Sequence, residues 1–268
     1  MFKLRYPHIT TLTAYGCSYT AGAELGDHLI SPKAETIKRR KGLDHWYDNI
    51  MGIALYKDPD LKSTVSAYEL DHAWPSQVAR ALGLASNNQA LGGTSLGMAV
   101  WRFEQDILER RVDPKQTLFV FGVTTADRIH LFRPSPAPTL RMRGPSSKIK
   151  EWHEGTILSI FNDAYLVWNH LQLLARLSAL AKQLDVTIAV FNMFGNRNLQ
   201  DYHQISARDL VMFQHQQQQL ESAPGFFFLE PPMYSFVSGH EERLAFGHPT
   251  LAVHERYSKH VIDCLDRL

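Results

Sequence analysis

The sequence ITTLTAYGCSYT, residues Ile9–Thr20, decides how this chain is expected to fold. Its first half is rich in threonine, leucine and isoleucine, which favour a buried β-strand. Gly16 then permits a backbone turn that residues with a side chain resist. The pattern places Ser18 at the carboxyl end of the strand, the edge of an open α/β sheet where ligands bind. Taken alone, a Gly-x-Ser after a strand is also typical of an ordinary turn.

Length and composition indicate a globular protein. The 268 residues can bury a large core, and 44% of them are hydrophobic and 21% charged, which is ordinary for a globular chain. The net charge of +1 gives no reason to expect nucleic-acid binding. We expect a soluble, cytoplasmic protein without a membrane partner. The amino terminus lacks the apolar core of a signal peptide, and no window approaches the roughly 18 apolar residues of a membrane span.

Strand-like and helix-like segments alternate along the chain. Further strands are expected within Ser86–Ser95 and at Thr117–Val123, Val186–Phe191 and Phe226–Leu229. Helices are expected at about 74–82, from 94 or 95 to about 110, and at about 156–184, 207–220 and 250–268. This alternation predicts a parallel sheet with helices on both faces, and right-handed crossovers then give one three-layer α/β sandwich.

Two stretches follow neither period and are interpreted as insertions. Residues 27–72 contain the basic cluster Lys38–Lys41, which is typical of a solvated face, with an anionic ligand as the alternative. Residues 132–155 begin with a proline-rich loop, because proline removes backbone donors and fixes the chain. No segment has the composition of a domain linker, so we expect a single domain over residues 1–268, with the first insertion walling one side of a site.

Small, polar turns follow three of the predicted strands. Ser18 follows the first, Gly92-Gly93 the second and Thr124-Thr125 the third. Because parallel strands present their carboxyl ends at one edge, these turns should meet in a single crevice. A serine becomes a nucleophile when a nearby base takes its proton, and backbone N–H groups at glycine turns can stabilise the oxyanion that forms.

His248 is the best-placed base among the 13 histidines. Pro249 suits the first position of the last helix, which would put His248 at the N-cap, where the helix dipole keeps the ring neutral. A histidine in a surface turn is the alternative. His254 and His260 have a spacing that favours packing or surface roles over metal ligation, so no metal site is expected.

Four short motifs together resemble the ordered blocks of the SGNH, or GDSL-type, hydrolases. They are Gly16-Cys17-Ser18, Asn88-x-Ala90-x-Gly92-Gly93, Gly122-x-Thr124-Thr125 and His248-Pro249. The resemblance spans nearly the whole chain. It implies a five-stranded, mostly parallel, flavodoxin-like sheet. It also implies ester hydrolysis or acyl transfer through a serine acyl-enzyme, without a metal or organic cofactor.

Carried over residue by residue, the resemblance makes Ser18 the nucleophile and His248 the base. It implies that the backbone N–H groups of Ser18 and Gly93 contribute to the oxyanion hole. Thr124 stands where the family has an asparagine donor, and Cys17 stands where it has a non-catalytic aspartate. A threonine hydroxyl can donate a hydrogen bond, but its reach is shorter.

The aspartate that orients the histidine in this family is missing. Ala245 occupies its position, three residues before His248. A backbone carbonyl could take over the orienting role. The candidate carboxylates for it are Glu230 at the end of the last strand and Glu241 and Glu242 in the loop that follows.

Three functions remain open at this point. The first is a serine ester hydrolase acting on a small-molecule ester, with an O-acylated carbohydrate suggested by the resemblance, or an acyltransferase using the same site. The second is a binding or structural protein of this fold that has lost catalysis, for which Thr124 and Ala245 leave room. In the third, Cys17 is the nucleophile, because thiols are more nucleophilic. Adjacent residues point in different directions, however, so Cys17 and Ser18 cannot both face His248.

Overall fold

The computed structural model describes residues 2–126, 128–130, 139–141, 163–193, 205–245 and 247–267. Within them the chain forms a five-stranded sheet in which all strands are parallel. The strands are β1 (Thr11–Gly16), β2 (Ala85–Asn88), β3 (Thr117–Val123), β4 (Ile188–Asn192) and β5 (Phe226–Leu229), in the spatial order β2-β1-β3-β4-β5. The predicted α/β sandwich with a five-stranded flavodoxin-like sheet is confirmed.

Helices connect the strands and cover the sheet. Their bounds are α1 Phe2–Arg5, α2 Ser18–Ala21, α3 Asp27–Ile30, α4 Ala34–Lys41, α5 Leu43–Trp46, α6 Gly52–Lys57, α7 Pro59–His72, α8 Trp74–Leu82, α9 Leu96–Leu108, α10 Asp163–Leu184, α11 Ala207–Glu221 and α12 Leu251–Leu265. A π-helical turn, Tyr47–Met51, joins α5 to α6, and short 3₁₀ turns lie at Pro114–Gln116, Met233–Phe236 and His240–Glu242.

The two faces of the sheet bury separate apolar clusters. Side chains alternate along β3, so Leu118 and Val120 face one side while Phe119 and Phe121 face the other. The first side packs against α8 and α12, and the second against α9, α10 and α11. Every residue of β3 is buried, which explains why its sequence is continuously apolar.

The edge strand β2 explains why this part of the sequence is poor in apolar residues. It pairs with β1 alone, and its first two residues are exposed. An edge strand has water on one side, so the polar sequence Ala-Ser-Asn-Asn is compatible with this position in the sheet. The following helix α9 is capped by Ser95, whose Oγ accepts a hydrogen bond from the Met98 N–H at 3.3 Å.

Residues 27–72, interpreted as an insertion without a clear period, form the helices α3 to α7 and the π-helical turn. These elements are short and sparsely buried, with Val65 the one buried residue of α7, so an apolar stripe is not visible in the sequence. Most of the second insertion, 132–155, lies outside the described residues. Its described strand Thr139–Arg141 pairs antiparallel with Arg128–His130.

Candidate active site

Ser18 is the first residue of α2, a single helical turn that is separated from β1 by one residue, Cys17. Thr20 of this turn packs over Gly16 and Gly122, which are register partners in β1 and β3. A Cβ atom on Gly122 would overlap the Thr20 hydroxyl, and one on Gly16 would lie 2.7 Å from the Gly122 carbonyl oxygen. The glycine pair therefore lets α2 lie close to the sheet and places Ser18, 6% exposed, at its carboxyl edge.

The loop after β2 lies directly against Ser18. The Thr94 hydroxyl donates a hydrogen bond to the Gly16 carbonyl oxygen at 2.8 Å, which ties the loop to the end of β1. A Cβ atom on Gly92 would lie 3.9 Å from the Ser18 Cβ. Gly93 has a φ of +75°, a left-handed conformation that favours glycine, and open space on the side where a Cβ would be.

Thr124 follows β3 at the same edge. Because Gly16 pairs with Gly122 in register, Ser18 and Thr124 each lie two residues beyond a paired glycine. Thr124 is buried, and among the described residues neither its hydroxyl nor that of Thr125 has a hydrogen-bond partner. Leaving a buried hydroxyl without a partner costs about 1–3 kcal/mol, so each of these threonines keeps an unused donor.

His248 lies in the loop before α12, and its position corrects one prediction. The N-cap of α12 is Thr250, not His248, so the helix terminus does not fix the ring. Tyr19 does so instead. Its hydroxyl donates to the Gly247 carbonyl oxygen at 3.0 Å, and its ring meets the His248 ring edge-on, with 5.6 Å between centroids. Because Tyr19 directly follows Ser18, these contacts bring His248 to the segment that carries Ser18.

Glu24 makes the contact that orients His248. Its Oε2 lies 2.7 Å from His248 Nδ1, and its side chain is 3% exposed. When Nδ1–H donates to this carboxylate, the neutral ring keeps its lone pair on Nε2. Glu24 also has a φ of +71°, a left-handed conformation that costs a residue with a side chain about 1–2 kcal/mol. Backbone strain of this kind clusters at functional sites.

Among the described residues, the carboxylate within hydrogen-bond distance of His248 is that of Glu24, not one of those predicted from the sequence. Glu242 accepts hydrogen bonds from the N–H and the hydroxyl of Ser238, both at 2.7 Å, and these bonds help to lower its pKa to about 2. Glu230 is exposed at the end of β5, and its carbonyl oxygen lies 3.0 Å from His260 Nε2. The sequence signal for Glu24 is weak: a carboxylate between Gly22 and Gly26 in the turn after Ser18.

Helix α4 holds the loop that carries His248. The N–H of Ala245, which replaces the expected aspartate, donates to Glu35 Oε2 at 2.9 Å. Arg39 Nη2 donates to the Arg243 carbonyl oxygen, also at 2.9 Å. Two side chains of α4 therefore bind the backbone of the loop that carries His248.

A buried lysine lies behind Glu24, which corrects the interpretation of the basic cluster as a solvated face. The Lys38 side chain is 0% exposed. Its Nζ donates to Glu24 Oε1 at 2.6 Å and to Asp27 Oδ2 at 3.0 Å, and it also pairs with Glu35. Burial opposes the charge of Lys38, but the hydrogen bonds to Glu24 and Glu35 outweigh burial and raise its pKa. Its sequence neighbours Arg39, Arg40 and Lys41 are exposed.

Two other residues considered from the sequence lie in the core. Cys17 is 1% exposed within the apolar cluster under α8 and α12, so its thiol faces away from the edge that carries Ser18. His254 is fully buried, its Nδ1 accepts a hydrogen bond from the Trp74 N–H at 3.1 Å, and burial lowers its pKa to about 3. His254 therefore has a packing role.

Two kinds of feature are absent from the part of the chain that the structure describes. No group of three or more His, Cys, Asp and Glu side chains there is arranged to hold a metal ion. None of the helices in those residues combines the length and apolarity that crossing a bilayer requires.

Neither protein-family models nor curated proteins match this chain. Similar solved structures are GDSL/SGNH lipolytic hydrolases that align over nearly the whole chain at low sequence identity. The similarity is one of fold. A member of the lipolytic protein G-D-S-L family from Veillonella parvula has 10% identity and a TM-score of 0.48, with 97% of this chain and 100% of that one covered. The esterase EstA from Pseudoalteromonas sp. has 10% identity and a TM-score of 0.49, with 96% and 97% covered.

Proposed function

We propose that this protein is a serine ester hydrolase in which Ser18 is the nucleophile, His248 the base and Glu24 the acid that orients the base. The observation that carries the proposal is the 2.7 Å contact between Glu24 Oε2 and His248 Nδ1, next to the turn that presents Ser18. A histidine whose Nδ1–H donates to a buried carboxylate keeps Nε2 as a proton acceptor. A serine hydroxyl needs such an acceptor to attack an ester carbonyl.

In the first half of the reaction, Ser18 Oγ bonds to the carbonyl carbon while its proton moves to His248 Nε2. Glu24 stabilises the imidazolium that results. The negative charge collects on the carbonyl oxygen, where the N–H groups of Ser18 and Gly93 and the Thr124 hydroxyl are the proposed donors. The bond to the leaving oxygen then breaks, and the alcohol departs with the proton from His248.

In the second half, a water molecule gives one proton to His248 as its oxygen bonds to the acyl carbon. The bond to Ser18 Oγ breaks, Ser18 takes the proton back, and the carboxylic acid leaves. No electron acceptor or donor is required. The proposed substrate is a small ester, and O-acylated carbohydrates are the class that the family resemblance adds.

Labelling with a fluorophosphonate tests this function directly. We expect about one label per chain, on Ser18, because only an activated serine attacks the phosphorus atom at a useful rate. The label should be lost in Ser18→Ala and His248→Ala and kept in Cys17→Ser. Turnover of p-nitrophenyl acetate should fall at least ~10³-fold in Ser18→Ala, with an unchanged Tm.

Each opposite result contradicts the proposal in its own way. A chain that takes up no label and turns over no ester is a binding or structural protein of this fold. A label that maps to Cys17 makes the thiol the nucleophile. Turnover that survives Ser18→Ala excludes a reaction through this serine. If turnover does depend on Ser18, parallel assays with acetylated sugars and with acetylated lipid analogues define the class of ester.

A further inference from the structure

We infer that Lys38 is a positioning residue for the proposed reaction: by binding one oxygen of Glu24, it keeps that carboxylate charged and turns the other oxygen toward His248. The inference rests on the proposed function, because it takes the orienting role of Glu24 from it. It also assigns a role in the reaction to the helical segment 27–72, which provides Lys38.

The two carboxylate oxygens of Glu24 have different partners. Oε1 lies 2.6 Å from Lys38 Nζ, and Oε2 lies 2.7 Å from His248 Nδ1. The terminal torsion of a glutamate is broad and roughly two-fold, so one contact alone leaves the carboxylate free to rotate. Held at both oxygens, the carboxylate cannot rotate without breaking a charge-assisted hydrogen bond.

Burial makes the lysine necessary for the charge on Glu24. The side chains of Lys38 and Glu24 are 0% and 3% exposed, so water does not stabilise either charge. A buried carboxylate without a compensating cation takes up a proton instead of staying charged. The buried Trp46 ring also covers the lysine. Its centroid lies 5.8 Å from Lys38 Nζ, which adds a cation–π contact.

The surrounding charges fix the direction of the expected change. The acidic side chains around Lys38 are Glu24, Asp27 and Glu35, and Glu69 of α7 accepts the backbone N–H groups of residues 24 and 26. Arg39 lies 3.8 Å from Glu35 at the exposed rim. Without the positive charge of Lys38, the buried Glu24 takes up a proton. His248 then loses the carboxylate charge that stabilises its imidazolium, so its ring releases its proton at lower pH.

The test replaces Lys38 by methionine, which keeps the length of the side chain and removes its charge. Lys41→Met is the matched control, because Lys41 lies on the same helix, carries the same charge and is exposed. Breaking a buried ion pair is strongly destabilising, so a second variant, Lys38→Met with Asp27→Asn, removes one charge of each sign and protects the fold. Turnover of p-nitrophenyl acetate is measured from about pH 5 to pH 9, together with the NMR titration of the His248 ring.

We expect kcat to fall about 10–100-fold in both Lys38 variants, with KM changed less than about 3-fold. The acid limb of kcat/KM and the midpoint of the His248 ring titration should both move down by about half a pH unit or more. Lys41→Met should match the wild type. A folded Lys38 variant with a wild-type kcat and an unmoved ring titration would overturn the inference.

The ring titration separates this inference from the proposed function. It reports the Lys38–Glu24–His248 coupling even in a chain that hydrolyses no ester. If the wild type lacks turnover but Lys38→Met still moves the midpoint, the hydrolase proposal fails and the coupling stands. If Ser18-dependent turnover is present and the midpoint does not move, the hydrolase proposal stands and the role of Lys38 is refuted.

Discussion

Glu24 combines properties that each disfavour a glutamate. Its backbone is left-handed, with a φ of +71°, and its carboxylate is withdrawn from water. The contacts to Lys38 and His248, at 2.6 and 2.7 Å, compensate for both. The strained conformation of Glu24 persists because the surrounding contacts hold it in place, as is typical of strained residues at functional sites.

Replacing Glu24 by glutamine should lower kcat strongly. The amide has nearly the same shape but no charge, so it stabilises the imidazolium less and can present its NH₂ group to Nδ1, which selects the wrong tautomer. In serine proteases the corresponding change costs about 10⁴ in kcat, and we expect a loss of about 10²–10⁴ here. Steady-state hydrolysis of p-nitrophenyl acetate at pH 7.5 measures it.

Glu104→Gln provides the comparison for this experiment. Glu104 is also ion-paired, with Arg176 Nη2 at 2.8 Å, but it lies on α9. Its loss should leave kcat unchanged, because ion pairs near the surface contribute only about 0–1 kcal/mol to stability. Equal turnover by Glu24→Gln and wild type would remove Glu24 from the site.

At the scale of elements, the carboxyl ends of β1 and β3 depend on close packing of α2. Thr20 fills the space that Gly16 and Gly122 leave open. This packing sets the distance of Ser18 from the sheet, so a substitution at either glycine acts on the site through the position of α2.

Gly122→Ala should destabilise the fold and lower turnover. Its Cβ would overlap the Thr20 hydroxyl and lie 2.9 Å from the Thr20 Cβ. Overpacking of this kind costs about 1–3 kcal/mol, and urea unfolding measures the loss. The double variant Gly122→Ala with Thr20→Ala should recover most of it, since it removes the overlapping atoms.

Gly97→Ala is the matched control on α9. A Cβ there would lie 3.7 Å from its nearest neighbours, an ordinary contact. Alanine is favoured over glycine in a helix by about 1 kcal/mol, so this variant should be as stable as the wild type or more so. If both alanine variants unfold at the same urea concentration, Gly122 is not required for the close packing of α2 against the sheet.

Local sequence determined some elements and not others. The apolar run of β3 predicted its bounds, Thr117–Val123, because a strand buried on both faces is encoded by its own residues. The start of α12 was predicted too early. Pro249 looks like a first helical residue, but it forms an antiparallel bridge with Arg243. His248 therefore precedes a bridged residue and not a helix, and its ring is contacted by Glu24 and Tyr19, which lie far away in the sequence.

On the scale of the whole molecule, the segments 24–27, 34–41 and 59–72 bring together the buried acids Glu24 and Asp27 and the partly buried Glu69. Burial, and the charge of Asp27, raise the pKa of Glu69 to about 7 from its ordinary value of 4.5. Burial likewise raises the pKa of Asp27, against the opposing effect of Lys38. The folded chain therefore retains protons that the unfolded chain releases.

The free energy of unfolding should fall between about pH 4.5 and 7 through Glu69. In that window the folded protein binds a proton at Glu69 that the unfolded chain has lost, so rising pH favours unfolding. The difference between the folded and unfolded pKa of Glu69, about 7 against 4.5, corresponds to roughly 3–4 kcal/mol. Urea unfolding of wild type and Glu69→Gln at several pH values measures it.

Glu69→Gln keeps an acceptor oxygen for the backbone N–H groups and cannot titrate. The wild type should therefore match it below about pH 4.5, become progressively less stable than the variant up to about pH 7, and change no further above that pH. If the free energies of unfolding of the two proteins differ by a constant amount across this range, the pKa of Glu69 is not raised by folding.

The candidate site was predicted in part for a reason of topology. Ser18, Gly93 and Thr124 each follow a strand, and parallel strands bring such turns to one edge. Glu24 and Lys38 follow no such rule. The contact between Glu24 and His248 joins residues 224 positions apart, and Lys38 reaches Glu24 only because short helices fold back. Lys38 lies in a run of basic residues, a pattern typical of an exposed surface. Only the tertiary structure distinguishes the buried Lys38 from its exposed neighbours.

The contact between Glu24 and His248 has a consequence for how sequences of this fold are judged. A search that requires an aspartate three residues ahead of the histidine would discard this chain as inert, since Ala245 stands there. In the proposed site the acid, Glu24, comes from the segment that follows Ser18, so the loop before His248 does not have to supply it. Other chains dismissed on the same ground should be re-inspected for a carboxylate shortly downstream of the serine, with a lysine to accompany it.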